Sequence, residues 1–385
     1  MTENVDHGKS TLVQAITGKM PMQHSEELKR GITIKIGYAD ATIYKCTKCS
    51  SLSLTEKCKK DFEKCEAVRT VSFVDAPGHE TLMATVISGA ALMDGVLFVI
   101  AANQECPQTQ TREHLKVLDI VGIKNIVIAQ TKVDLVAKEQ ALNNYRQIKE
   151  FLKGSVAENA PIVPVSSKQG VNIDKLLEAI EEIIKTPKRD PSLSARLMVL
   201  RSFDINRPGT EPEGMNGGIL GGSLVQGMLK INDEIEIRPG IRIGSKTVPL
   251  KTKVIGIQKA GKDLDEAGPG GLLGIKTTLD PSNTKADSIG GNLAGRELPP
   301  VLNSLSAQIT LFDKIGEQRI ESVKNGELLL LNAGIAKTVG TATGFKKGVV
   351  SFDLRIPICI GKGEKIVLSR KYGERWHLIG WGKVL

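Results

Sequence analysis

Between residues 69 and 185 the chain alternates two textures. Short runs are largely apolar, and the longer segments between them carry apolar residues every three to four positions. The short runs 69–74, 95–102, 125–130 and 161–166 read as strands; the segments 80–93, 111–121, 138–153 and 173–185 read as helices. A strand apolar on both sides must be covered on both faces, and intervening helices supply that cover. The pattern predicts an α/β fold with a doubly wound, mostly parallel sheet. In such sheets ligands sit beyond the carboxyl ends of the strands.

The polar stretch 186–191 reads as a linker, and beyond it the texture changes. Strands become short and glycine-rich, as at 217–222, 268–271 and 290–291, and helical periodicity nearly vanishes. That is the pattern of all-β barrels. Pro299-Pro300 marks a second break. The expected organisation is an α/β domain at 1–190 with a cysteine-rich insert at 45–66, a barrel at 191–299 and a second barrel at 300–385.

Composition narrows the function classes. With 385 residues the chain has room for two or three domains. Aromatic residues make up 4 %, too few for a single-strand-binding platform of stacked rings. The net charge of +9 suits a polyanionic partner and equally a plain basic surface. No apolar run is long enough for a membrane span and no signal peptide opens the chain, so a cytoplasmic protein without a membrane partner is expected. In that compartment, six cysteines with four clustered read as metal ligands before disulfides.

The candidate chemistry falls at predicted strand ends. Asp6-His7-Gly8-Lys9-Ser10-Thr11 precedes a helical pattern and reads as a phosphate-binding loop. Its backbone N–H groups would close around a phosphate, Lys9 would reach the outer phosphates, and the Ser10 hydroxyl would hold Mg2+. Position 3, where a first glycine is usual, is Glu3, and the residues before Val5 are polar. A buried strand normally feeds such a loop, which predicts that the chain lacks roughly ten N-terminal residues of the functional protein. Asp75-Ala76-Pro77-Gly78 follows the strand 71–74. Asp75 and Asp6 would support the Mg2+, the Gly78 N–H would meet a γ-phosphate, and His79 would orient the attacking water. A lone His at a helix start is otherwise a solvated cap. In Arg30-Gly31-Ile32-Thr33, Gly31 and Thr33 are candidates for completing the Mg2+ shell when GTP is bound.

Thr131-Lys132-Val133-Asp134 ends another strand. The Asp134 carboxylate can accept two hydrogen bonds from the guanine N1–H and exocyclic amine, a pair that adenine lacks, and Lys132 would lie over the ring. Ser166-Ser167-Lys168 follows the next strand, where a backbone N–H would meet guanine O6. Cys46, Cys49, Cys58 and Cys65 suggest a tetrahedral zinc site, although the second pair is spaced by seven positions where the first is spaced by three. Reduced thiols in a basic loop are the alternative. Lys57, Lys59, Lys60 and Lys64 read as a solvated face before they read as an RNA contact. Cys106 and Cys359 are isolated and read as core.

These stretches together carry a resemblance. Residues 6–11, 30–33 and 75–79 resemble translational GTPases of the elongation factor Tu group. The stretches 24–38 (HSEELKRGITIKIGY), 75–95 (DAPGHETLMATVISGAALMDG), 108–114, 145–150 (YRQIKE), 201–209 (RSFDINRPG), 217–227 (GGILGGSLVQG) and 375–382 (RWHLIGWG) are similar to the gamma-subunit family of archaeal and eukaryotic translation initiation factor 2. A cysteine insert ahead of Asp75 is a mark of that family, and Thr131 departs from its usual Asn. The resemblance implies a GTPase domain of the phosphate-loop type followed by two all-β barrels. It also implies alpha and beta partner subunits and GTP-dependent delivery of methionyl initiator tRNA to the small ribosomal subunit. A selenocysteine-specific tRNA carrier is the alternative within the group. A GTP-sensing RNA-binding scaffold with negligible turnover is the alternative outside it. An ATP-using enzyme fits poorly because Asp134 selects guanine.

Overall fold

The structure is a computed structural model of the 385-residue chain and describes residues 7–20, 37–75, 87, 92–207, 211, 215–244, 246–315, 318–346 and 348–385. The chain divides into two compact units, Met1–Pro187 and Lys188–Leu385.

In the first unit, helix α1 (Lys9–Thr17) is followed by strands β1 (Gly37–Cys46), β2 (Leu52–Ser53) and β3 (Cys65–Asp75). Then come β4 (Val96–Ala101), helix α2 (Thr109–Val121), β5 (Ile126–Thr131), helix α3 (Lys138–Leu152), β6 (Ile162–Pro164) and helix α4 (Ile173–Ile183). Strands β4, β5 and β6 form the parallel sheet in that order. Strand β5 is buried along its whole length, as a strand apolar on both faces requires. Strands β2, β1 and β3 form a separate antiparallel sheet, with β1 and β3 paired from Gly37↔Asp75 to Cys46↔Cys65. Among the described residues no ladder joins the two sheets. The long β1–β3 pairing is antiparallel because residues 47–64 fold back as a hairpin that carries the cysteines.

One core serves both sheets. Leu12 and Ile16 of α1, Ile43 of β1, Val127 and Ala129 of β5, and Leu176, Leu177 and Ile180 of α4 pack together. Each fully buried Leu or Ile contributes about 1.5–3 kcal/mol. At the edge of this core Arg69 of β3 ties the sheet to α4: Nε donates to Glu181 Oε1 at 2.6 Å and an η nitrogen to the Ile184 carbonyl at 2.7 Å. Of the predicted helix 80–93, only residues 87, 92 and 93 are described. Residues 1–6, where the sequence lacks an apolar strand, also lie outside the described residues.

Among the described residues the regular structure of the second unit is β apart from short 3-10 turns. One antiparallel sheet runs Glu234–Ile243, Leu293–Gly295, Arg196–Phe203, Ile219–Gln226, Leu273–Thr277, Lys246–Lys259 and Lys262–Leu264. Glu234–Ile243 also pairs with Lys246–Lys259, so six of these strands close on themselves. The closure needs bare backbone at Gly222, where a Cβ would lie 1.9 Å from the Met198 carbonyl oxygen. A second closed barrel runs Val301–Leu311, Val349–Cys359, Ala336–Lys346, Leu328–Ala333, Lys365–Tyr372 and Arg375–Val384. Each barrel has its own core, around Leu197, Leu220, Ile237 and Ile275 in the first and around Leu331, Phe352, Ile366 and Ile379 in the second.

Candidate functional site

The phosphate-loop residues begin α1. Gly8 is the residue before the helix, at φ 76°, a left-handed conformation that costs glycine nothing. Its carbonyl accepts the Leu12 N–H at 2.9 Å, which starts the helix. Two tertiary hydrogen bonds then gather the predicted residues. The Ser10 hydroxyl donates to Asp75 Oδ2 at 2.6 Å, joining the helix start to the end of β3. The Thr131 hydroxyl donates to the His7 carbonyl at 2.7 Å and also reaches the Ile100 carbonyl at 3.4 Å, joining the end of β5 to the loop. A Cβ on Gly8 would lie 3.9 Å from Lys132 Cε. Asp75 and Thr131 are buried, at 2 % and 1 % exposure.

Lys132 adopts a left-handed conformation (φ 58°) and opens a 3-10 turn, Val133–Leu135, that leaves Asp134 exposed. The neighbouring strand places its own end beside this turn. The Val165 N–H donates to the Gln130 carbonyl at 2.8 Å, and Ser166 closes a turn with Val171 in both directions, at 3.2 and 3.0 Å. Ser166 is fully buried and its hydroxyl accepts the Gln169 N–H at 3.1 Å, while Ser167 is half-buried and Lys168 exposed. Thr11 is exposed on α1. Asp6, Gly31, Thr33, Gly78 and His79 lie outside the described residues.

Two histidines belong to this region, His7 in the loop itself and His114 close to Lys9 and His7. His7 Nδ1 lies 3.1 Å from the Val99 carbonyl, and burial lowers its pKa despite that bond. His114 of α2 is pushed down to about 3, first by burial and then by the nearby Lys9 and His7. Its Nε2 has no hydrogen-bond partner among the described residues. Both rings are therefore neutral near pH 7, and neither adds positive charge beside Lys9. The sequence reading did not single out His114; only its burial against the loop marks it.

The cysteines form a second cluster, in the hairpin between β1 and β3. The donor atoms that come within 4.8 Å of one another belong to Cys46, Cys49, Cys58 and Asp61. Three of the four cysteines of the expected set are in that group; Cys65 is outside it and Asp61 is inside it. Cys65 is held in the β1–β3 ladder opposite Cys46 and is buried against Cys46 and Cys58, with its thiol in hydrogen-bond contact with Cys46. Three thiols and a carboxylate suit zinc, which takes sulfur and oxygen ligands tetrahedrally. Cys106 and Cys359 are buried and apart from this cluster.

The model of the elongation factor Tu GTP binding domain matches residues 2–186, and that of the C-terminal part of initiation factor eIF2 gamma matches residues 303–384. The chain is 52 % identical to translation initiation factor 2 subunit gamma of Pyrococcus abyssi, over 99 % of this chain and 95 % of that one. It is 51 % identical to the protein of the same name from Methanothermobacter thermautotrophicus, over 98 % and 96 %. A bacterial selenocysteine-specific elongation factor shares the fold, with a TM-score of 0.75 at 24 % identity over 99 % of this chain and 56 % of that one. Elongation factor SelB of Methanococcus maripaludis with a GTP analogue follows, with a TM-score of 0.72 at 22 % identity over 99 % and 76 %. The chain belongs to the translation initiation factor 2 subunit gamma family, translational GTPases built on an elongation factor Tu-type GTP-binding domain followed by antiparallel β-barrels.

Proposed function

We propose that this protein binds GTP, carries methionyl initiator tRNA to the small ribosomal subunit as the gamma subunit of a cytoplasmic heterotrimer, and loses its grip on the tRNA when GTP is hydrolysed. Family membership supports the activity, and the relatives' name supports the alpha and beta partner subunits. The observation that carries the nucleotide site is the pair of bonds from Ser10 to Asp75 and from Thr131 to His7. Together they hold the phosphate loop between two strand ends, where α/β sheets place their ligands.

In this reading His7, Gly8, Lys9, Ser10 and Thr11 hold the phosphates, while Lys132, Val133, Asp134, Ser166, Ser167 and Lys168 hold the base. Ser10 and Asp75, with Asp6, Gly31 and Thr33, are the residues for Mg2+, which would neutralise phosphate charge. Gly78 and His79 are the residues for positioning the γ-phosphate and the attacking water. One zinc belongs to the cysteine hairpin as a structural ion. The separate cores of the two closed barrels support a division into domains at 1–190, 191–299 and 300–385.

The test is co-purification and tRNA capture. Tagged protein is expected to bring down two smaller subunits and to retain methionyl initiator tRNA with a non-hydrolysable GTP analogue but not with GDP. Equal retention in both nucleotide states, or preferential capture of selenocysteine tRNA, would overturn the reading.

A further inference from the structure

The cysteine hairpin is built from two copies of one turn, and the second copy ends in a carboxylate. In the first copy the Ser50 N–H donates to the Cys46 carbonyl at 3.1 Å, and the Cys46 N–H donates to the Ser51 carbonyl at 2.9 Å. In the second copy the Phe62 N–H donates to the Cys58 carbonyl at 3.0 Å, and the Cys58 N–H donates to the Glu63 carbonyl at 2.9 Å. The residue after each third position is left-handed, Ser50 at φ 58° and Phe62 at φ 59°. That conformation is uncommon for a bulky side chain and marks a backbone held to a purpose. The first sulfur of each turn accepts backbone N–H bonds from inside its own turn: Cys46 Sγ from Lys48 and Cys49, Cys58 Sγ from Lys60, all at 3.4 Å. Position for position, Asp61 is the counterpart of Cys49.

The side chains follow the backbone. Both Asp61 oxygens lie 3.5 Å from Cys46 Sγ, and Cys49 Sγ lies 3.5 Å from Cys58 Sγ. Ligands held at the usual zinc distances stand about 3.8 Å apart around a tetrahedron, so the cluster is already close to that size. Asp61 Oδ1 also accepts the Glu63 N–H at 3.2 Å, which orients the carboxylate. Cys65 belongs to neither turn. It lies in the ladder opposite Cys46; its Sγ touches the Cys46 thiol and lies 4.0 Å from the Glu63 carbonyl, and it is outside the group whose donor atoms all come within 4.8 Å of one another.

We propose that Asp61, and not Cys65, is the fourth ligand, so that the hairpin holds its metal with three thiolates and one carboxylate. The inference rests on the reading that the hairpin binds zinc. A carboxylate in place of one thiolate makes the site harder and less selective for soft ions.

The test uses the full chain purified without chelator, with elemental analysis for zinc and Co2+ substitution followed by absorption. Thiolate-to-Co2+ charge-transfer intensity counts the sulfurs. One ion per chain with three thiolates' worth of intensity is expected. Cys65→Ser should leave intensity and affinity unchanged, whereas Asp61→Cys should raise the intensity by a third. Asp61→Asn should weaken affinity by at least about tenfold, since even groups one shell out cost about 10–100-fold. Four thiolates' worth in the parent, falling to three in Cys65→Ser, would overturn the assignment while leaving the zinc reading intact. No uptake of zinc or Co2+ by the parent would overturn both.

Discussion

Thr131 is the residue on which the order of the phosphate loop is expected to turn. Its hydroxyl donates 2.7 Å to the His7 carbonyl from a side chain only 1 % exposed. Thr131→Val keeps the shape and removes only the donor, so no cavity opens. A hydrogen bond is worth about 0.5–1.5 kcal/mol net, and leaving the part-buried His7 carbonyl unpaired falls at the low end of the usual cost of about 1–3 kcal/mol, so a loss of about 2 kcal/mol is expected. For a unit the size of Met1–Pro187 this corresponds to a fall in Tm of about 4–8 °C. The probe should be helical circular dichroism, because every α-helix among the described residues lies in that unit. Tryptophan fluorescence would miss it, since Trp376 and Trp381 both lie in the other. A loop without its brace must be ordered by the nucleotide, so GDP affinity should weaken roughly tenfold or more. Thr131→Ser keeps the donor and should stay near the parent in both measurements. A Tm within about 1 °C and an affinity within about twofold would refute the reasoning. A fall in Tm with affinity unchanged would show that the brace serves stability alone.

Asp134→Asn should weaken GTP about 10–100-fold and move preference toward xanthosine triphosphate, because the amide reverses one hydrogen-bond polarity; a nucleotide competition reads this, and an unchanged GTP preference would count against guanine selection. His114 is neutral in the fold with a pKa pushed from 6.5 to about 3, so the unfolded chain binds the extra proton. Its contribution is therefore complete above pH 6.5 and falls by about 1.4 kcal/mol per pH unit below it. Between pH 6.5 and 5 the parent should lose about 2 kcal/mol more than His114→Leu in urea unfolding followed by helical signal, and parallel curves would contradict the assignment. Arg370 is buried in the last barrel with Glu327 across two bonds, at 2.5 and 3.2 Å, and donates to the Glu321 and Ser322 carbonyls. Arg370→Gln leaves the Glu327 charge without that partner and should cost about 3–5 kcal/mol, read by tryptophan fluorescence; a loss below about 1 kcal/mol would show that the network is dispensable.

The sequence alone determined the alternating strands and helices of the first unit from residue 95 onward, but not strands β1 and β2 or the antiparallel pairing of β3. Continuous apolar runs can only be strands covered on both faces, so β4 and β5 and the polar residues after them were legible, including Thr131–Asp134 and Ser166. Gly8 and Ser10 were legible as a glycine and a hydroxyl just ahead of a helical pattern, and they stand at the start of α1. Barrel texture beyond residue 191 was legible from short glycine-rich strands, but not which strands close each barrel. Closure joins residues far apart in sequence, such as Val301–Leu311 with Arg375–Val384, and local pattern carries no record of it. The brace from Thr131 to His7 and the neutral His114 likewise exist only where distant segments meet. Asp61 shows the same division most directly. Cys58-x-x-Asp61 repeats the spacing of Cys46-x-x-Cys49, yet a count of cysteines pairs Cys58 with Cys65. Only the folded hairpin equates Asp61 with Cys49, because the place of a side chain is set by the turn that presents it. Cys65 instead went to the ladder, where its backbone pairs with Cys46.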